Sequence, residues 1–265
     1  MLASIESKIK RAEKHIQILA QEIPEWSAKN PVRCNCVLND GRLGFKLILN
    51  SFDEPFSLNE WALSAGECIH NLRSSLDNLV YALARIKQDP PKNPRVIKFP
   101  IYQDESQFNG QSKSTLDQLS DQSSDLIRKI QPFQRNNQNV EGKPEDDPLV
   151  LLNWLSNFDK HQIPINIHLP PNSIAHSAGV EYYSNEEASL NVPPDVVVWV
   201  DKLIPGTVLM EYRSKHPIKR VEGNFNLVTT VSIDIKGTLI PLLDVLPYLT
   251  NYTNLILNQF RLDFK

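Results

Sequence analysis

One long helical stretch with almost no charge constrains this chain more than any other feature. Residues 57–87 read as a single helix, opened by Ser57 and Glu60 as a capping box. At helical spacing Ile69, Leu72, Leu76, Leu79, Val80 and Leu83 share one side, which must be core. Glu67, His70, Ser74, Asp77 and Tyr81 line up on the other, with Arg73 at the edge of that stripe. From residue 61 to 84 there is no lysine, and the only charges are Glu67, Arg73 and Asp77. A solvated helix of this length normally carries more, so the pattern predicts that both faces are covered and that the helix is central to a bundle. Its few polar groups then need partners, because unpaired buried polar groups are costly. Two readings follow: a structural hydrogen-bond network, or a site.

The 265 residues allow one large domain or two small ones. The net charge of −3 gives no global field for nucleic acid, so such binding would have to be local. No apolar run is long enough for a membrane span, and the charged, amphipathic start is not that of a signal peptide. Cys34, Cys36 and Cys68 form no disulfide framework and lack a fourth partner for a metal, so they read as small buried hydrophobes in a reducing, cytoplasmic setting. His168 and His176 likewise lack a third ligand. There is no Gly-rich phosphate loop, no nucleophile elbow and no His-Glu-x-x-His motif. No cofactor is expected.

Along the chain, Ile5, Ile9, Ala12, Ile16, Leu19 and Ile23 predict a helix over residues 2–21, with Pro24 helping to stop it. Residues 32–38 and 43–50 alternate like strands about Asn39-Asp40-Gly41, a hairpin signal. Residues 88–110 read as a proline-containing connection anchored by Phe99-Pro100-Ile101, followed by a helix or helix pair over 115–130 and a polar loop over 134–146. Asp147 as N-cap and Pro148 at the first position open another helix. Its Asn153, Asn157 and His161 make a second polar stripe, beside Asp159 and Lys160. Residues 163–169, 179–183, 196–200, 207–213 and 225–235 are strand-like, and 242–260 returns to helical spacing with Pro247 near its start. The basic run 215–220 reads as a solvated turn. The expected class is α+β, a helical bundle with an antiparallel sheet: residues 1–162 mainly helical with the hairpin, which could also extend the sheet, 163–240 a β region, and 241–265 a helix returning to the bundle.

The segment Gly-Glu-Cys-Ile-His-Asn-Leu-Arg-Ser-Ser-Leu-Asp-Asn that ends at Asn78 resembles a motif of an uncharacterised bacterial protein group, usually closer to HNLRSALDH. Three further motifs of that group occur here in the same order: Phe99-Pro100-Ile101, residues 127–133 ending Gln131-Pro132-Phe133, and Asn157-Phe158-Asp159-Lys160-His161. More distantly, the first motif is similar to the HEPN superfamily, whose signature is an arginine followed four to six residues later by a histidine on one helix. In that superfamily the arginine holds a scissile RNA phosphate and the histidine moves protons across a dimer, without metal. The resemblance therefore implies RNA or a nucleotide as partner and a homodimer as assembly. Here Asn78 stands where the histidine would be, and asparagine cannot act as a general base. Gln162 likewise replaces the fourth motif's final arginine. On this reading Arg73 holds a phosphate oxygen and His70 or His161 serves as acid or base, tuned by Asp77 or Asp159. Lys160 adds positive charge, with Asn78, Asn157, Asp159 and Lys160 as binding residues. The alternative is a non-catalytic binding or scaffold protein whose polar cluster fixes the register of the bundle.

Overall fold

The computed structural model describes residues 2–29, 33–51, 58–136, 142–161, 167–168, 171–176, 179–191, 195–198, 204–222 and 225–264. The chain is α+β. It opens with α1 (Leu2–Lys29), β1 (Arg33–Leu38), β2 (Gly44–Ser51) and α2 (Leu58–Lys87). Then come α3 (Glu105–Gln111), α4 (Lys113–Leu116), α5 (Asp121–Lys129) and α6 (Pro148–His161). Next are β3 (Ile167–His168), β4 (Pro171–His176), β5 (Gly179–Tyr182), α7 (Asn185–Leu190) and β6 (Asp195–Val198). β7 (Val208–Arg213), β8 (Ile218–Glu222), β9 (Phe225–Thr229), β10 (Ser232–Ile235), β11 (Thr238–Pro241) and α8 (Leu242–Gln259) complete it. Two compact units result. The first takes Met1–Ala20, Asn59–Asn166 and Leu243–Lys265; the second takes Gln21–Leu58 and Ile167–Leu242. Among the described residues no helix is long and apolar enough to cross a membrane.

The first unit is helical. The apolar side of α2 is its centre: Ile69, Leu72, Leu76, Leu79, Val80 and Leu83 are all buried, as their spacing predicts. The other side is not covered. Glu67 and His70 are exposed, Leu63 and Tyr81 are 54% and 39% accessible, and Ser74, Asp77 and Asn78 are half-buried. The expectation of two covered faces is thus corrected: His70, Ser74, Asn78 and Tyr81, with only Glu67 and Asp77 as charges, line the water-facing stripe, and uncharged polar groups meet solvent as well as lysines do. Ser57 of the expected capping box lies outside the described residues. Helix α1 runs through Pro24 rather than stopping there. The hydrogen bond the proline forfeits is to the carbonyl of Ala20, and both residues are exposed, so water can take the orphaned acceptor. The connection after α2 contains a helix that periodicity missed: α3, capped by Asp104, whose carboxylate accepts from Gln107 N at 2.9 Å.

In the second unit every strand pairs antiparallel. The largest sheet has the order β1-β2-β7-β6, with smaller pairings β11-β10-β3, β4-β9 and β5-β8. The hairpin therefore belongs to the sheet unit, through β2 and β7. Its turn is not a two-residue Asn-Gly turn. Arg42, at φ 56°, takes the left-handed position, and its amide donates to Asn39 O at 2.8 Å. A non-glycine can hold that conformation because Arg42 is tied down: its Nε donates to Ile218 O at 2.7 Å and Ile218 N donates back to Arg42 O. Gly44 is needed for close approach, since an added Cβ would lie 2.2 Å from the Tyr212 carbonyl oxygen. The basic run 215–220 bends at 215–216 and enters strand β8 at Ile218, with Lys219 paired to Glu181 and Arg220 to Glu222. β4, α7 and β11 are also unforeseen.

Candidate functional site

Three of the four motifs meet around one short segment of the first unit, and the meeting is intramolecular. Arg73 projects from α2 with only 8% of its surface accessible. Its Nη1 contacts Asp77 Oδ1 at 2.7 Å and its Nη2 donates to the carbonyl of Phe99 at 2.9 Å. Asp77 Oδ1 also accepts from the amide of Phe99 at 2.8 Å. The helical i,i+4 pair thus grips both backbone polar groups of one residue, and the Phe99 ring is sunk in the core at 1% accessibility. From the other side Gln131, 2% accessible, donates through Nε2 to Pro100 O at 3.0 Å and accepts from Tyr102 N at 3.1 Å. Residues 99–102, which form no regular structure, have their backbone groups satisfied by side chains instead. The fourth motif touches the first elsewhere: a Cβ added at Gly66 would lie 2.7 Å from Asp159 Oδ1, so α2 and α6 approach closely there.

His70, Asn78 and Asn157 do not join this cluster. His70, one turn before Arg73, is exposed and makes no hydrogen bond or ion pair among the described residues. Asn78 is half-buried beside a shallow cleft of about 180 Å3 that it shares with Ser4, Ile5, Tyr81, Ala82 and Arg85. Asn157 is exposed. Lys160 and His161 end α6, and their side chains lie outside the described residues, as do those of His168 and His176. The structure therefore unites Arg73 with Asp77 but not with His70.

A second polar cluster was missed. Asp147 caps α6 by accepting from Leu149 N at 2.9 Å, as its sequence context predicts. It also accepts from Arg135 Nε at 2.8 Å and is hydrogen-bonded to Tyr252 of α8. The carboxylate side chain is 5% accessible and the arginine 17%. These residues sit in a cleft of about 670 Å3 with walls from Ile130, Leu255 and Ile256. Burial, then the charge of Asp147, pushes the Tyr252 phenol up to about 12, so it stays protonated. Arg135 and Asp147 face each other in this cleft, and the Tyr252 phenol keeps its proton. Only the cap was visible in the sequence: Arg135 and Asp147 lie 12 positions apart in the chain.

The cysteines are free. Cys68 is buried in the first unit, while Cys34 and Cys36 are half-buried on the same side of β1 in the second. Burial pushes their thiols up, to about 12 for Cys68 and about 11 for Cys34 and Cys36. Such thiols are poor nucleophiles. Among the described residues no group of three or more His, Cys, Asp or Glu side chains is placed to hold a metal ion. Compared with protein-family models, with curated proteins and with solved structures, the chain matches none.

Proposed function

We propose that this chain is a non-catalytic binding protein in which the Arg73–Asp77 cluster is a structural network. The carrying observation is the position of the Arg73 guanidinium, enclosed between Asp77 and the Phe99 carbonyl. A phosphate-holding arginine needs donors directed at an open hollow; two of this one's nitrogens are engaged by the protein itself. The exposure of His70 and the presence of Asn78 in place of a base support the same reading. The cluster holds residues 99–102 in place, and with them the basic stretch that precedes Phe99.

The test is Arg73→Ala in the full chain, read by melting temperature and by cleavage of a single-stranded RNA. The expected result is a loss of about 2–4 kcal/mol, because Asp77 and the Phe99 carbonyl lose a charged partner, and no RNA cleavage by either protein. RNA cleavage by the parent protein that disappears in Arg73→Ala while the melting temperature holds would overturn the reading in favour of a ribonuclease.

A further inference from the structure

We infer that a small cleft beside the Phe99 segment binds a phosphate monoester, with Arg95 and Lys98 as its cations. This rests on the binding function proposed above and gives it a ligand class. The cleft, of about 300 Å3, is lined by Arg95, Lys98, Tyr102, Gln111, Ser114 and Thr115, and no carboxylate lines it. Arg85, Arg128, Arg135, Arg213 and Arg261 each face a carboxylate. Arg95 and Lys98 have neither ion-pair nor hydrogen-bond partner among the described residues. Two uncompensated cations at one concavity produce a local positive field in a chain whose net charge is −3.

The backbone that carries them is held in place. Thr115 Oγ1 donates to Val96 O at 2.9 Å, and Asn93 N donates to Gln118 Oε1 at 2.8 Å. Beyond Lys98, Phe99 is clamped by Arg73 and Asp77, and Pro100 and Tyr102 by Gln131. A single 3-10 turn (Pro94–Val96) followed by chain without regular structure, fixed on both sides of two free cations, is preorganised, so a ligand loses less affinity to ordering it. Arg95 and Lys98 suit the charged oxygens of a phosphate, and Ser114 adds a hydroxyl. Tyr102, Val96 and Pro100 present apolar surface to the ester's organic part. The volume is at the small end of ligand pockets. Two cations match one phosphate group, whereas a nucleic-acid strand requires a track of them.

The experiment is a titration of the 15N-labelled full chain with phenyl phosphate at constant ionic strength, with inorganic phosphate as second probe. Saturable amide shifts are expected at residues 95–98, 102 and 111–115, with phenyl phosphate binding tighter than inorganic phosphate. Arg95→Ala and Lys98→Ala should each weaken binding about tenfold. Lys92→Ala, an exposed lysine outside the lining, should leave it within about twofold. Both cleft substitutions are at exposed positions, and an unchanged amide spectrum verifies that each variant is folded. No saturation by about 20 mM overturns the proposal. So does equal loss in Lys92→Ala, equal affinity for the two probes, or binding of an oligonucleotide without binding of the monoester. Because the Arg73→Ala test reads melting and RNA cleavage, either proposal can fail without the other.

Discussion

Two of the first unit's arginine–aspartate pairs, Arg73–Asp77 at 2.7 Å and Arg135–Asp147 at 2.8 Å, are nearly equal in length and opposite in burial. In the first the arginine is enclosed and the aspartate is open, with side chains 10% and 37% accessible. In the second the aspartate is enclosed, at 5%, and the arginine is the more open, at 17%. In each pair the enclosed member ties the pair to a further element. Arg73 holds the carbonyl of Phe99, and Asp147 holds the first turn of α6 and the Tyr252 hydroxyl. The contrast shows that the ion pair itself is the lesser part of each arrangement. What counts is how many backbone and side-chain groups lose a partner when the enclosed member goes, because an unpartnered buried group costs its full desolvation.

The largest effect should therefore come from Asp147→Ala. It removes a helix cap, a buried charge partner and the acceptor of Tyr252 together, for about 3–5 kcal/mol, or on the order of 10 °C in melting temperature. It also has a spectroscopic consequence. With the Asp147 charge gone, the Tyr252 phenol should titrate below its present value of about 12, yet above its ordinary value of 10.0, because burial is the larger cause. Carbon NMR of ring-labelled tyrosine reads this directly. A Tyr252 titration that does not move would mean that Asp147 and Tyr252 are not coupled, and the second cluster would reduce to a simple capped helix.

The comparison also ranks the two ends of the first pair. Asp77→Ala should cost about 2–4 kcal/mol, at least as much as Arg73→Ala. It leaves the enclosed guanidinium with only the Phe99 carbonyl and the Phe99 amide without its acceptor, whereas Arg73→Ala leaves a carboxylate that already meets water. Melting curves of both variants and of the double variant supply the coupling energy. If Asp77→Ala proves clearly the less destabilising, the guanidinium reaches water without its partner, and the reading of Arg73 as the enclosed anchor fails.

What the sequence disclosed follows the range of the interactions. Helix α2, the cap at Asp147 and the hairpin were legible because each depends on residues a few positions apart. Arg73 and Asp77 were visible as an i,i+4 pair for the same reason. That they act on Phe99, 26 positions from Arg73, was not. Neither was the Arg135–Asp147–Tyr252 cluster, whose members come from three separate stretches. The low charge of α2 misled: scarcity of lysine and glutamate was read as burial, whereas Leu63, His70 and Tyr81 face water. Strand β8 was hidden because Lys219 and Arg220 suggest a solvated turn, and their pairing with Glu181 and Glu222 appears only once β5 and β8 are adjacent. The pinning of residues 93–102 around Arg95 and Lys98 was equally out of reach, since Gln118 and Gln131 carry no sign in the sequence of what they hold.

Both pairs are matched; His15 of α1 supplies the unmatched case. Among the described residues neither ring nitrogen has a hydrogen-bond partner, and both atoms are buried. Burial and then the nearby Arg11 hold the imidazole below its ordinary value of 6.5; Lys14 acts in the same direction and Glu67 against it. A histidine whose folded value is depressed binds protons more readily in the unfolded chain. Its contribution is therefore neutral above about pH 6.5 and destabilising as pH falls below that. His15→Leu replaces an unpartnered polar ring by an apolar group of similar bulk. At pH 7.5 it should leave stability within about 1 kcal/mol of the parent or raise it. Between pH 7 and 5 the variant should fall less steeply, so the gap between the two melting temperatures widens as acid is added. A gap that stays constant over that range would show that His15 finds a partner on protonation, with Glu67 the nearest acid among the charges acting on it, and would place it with the matched pairs after all.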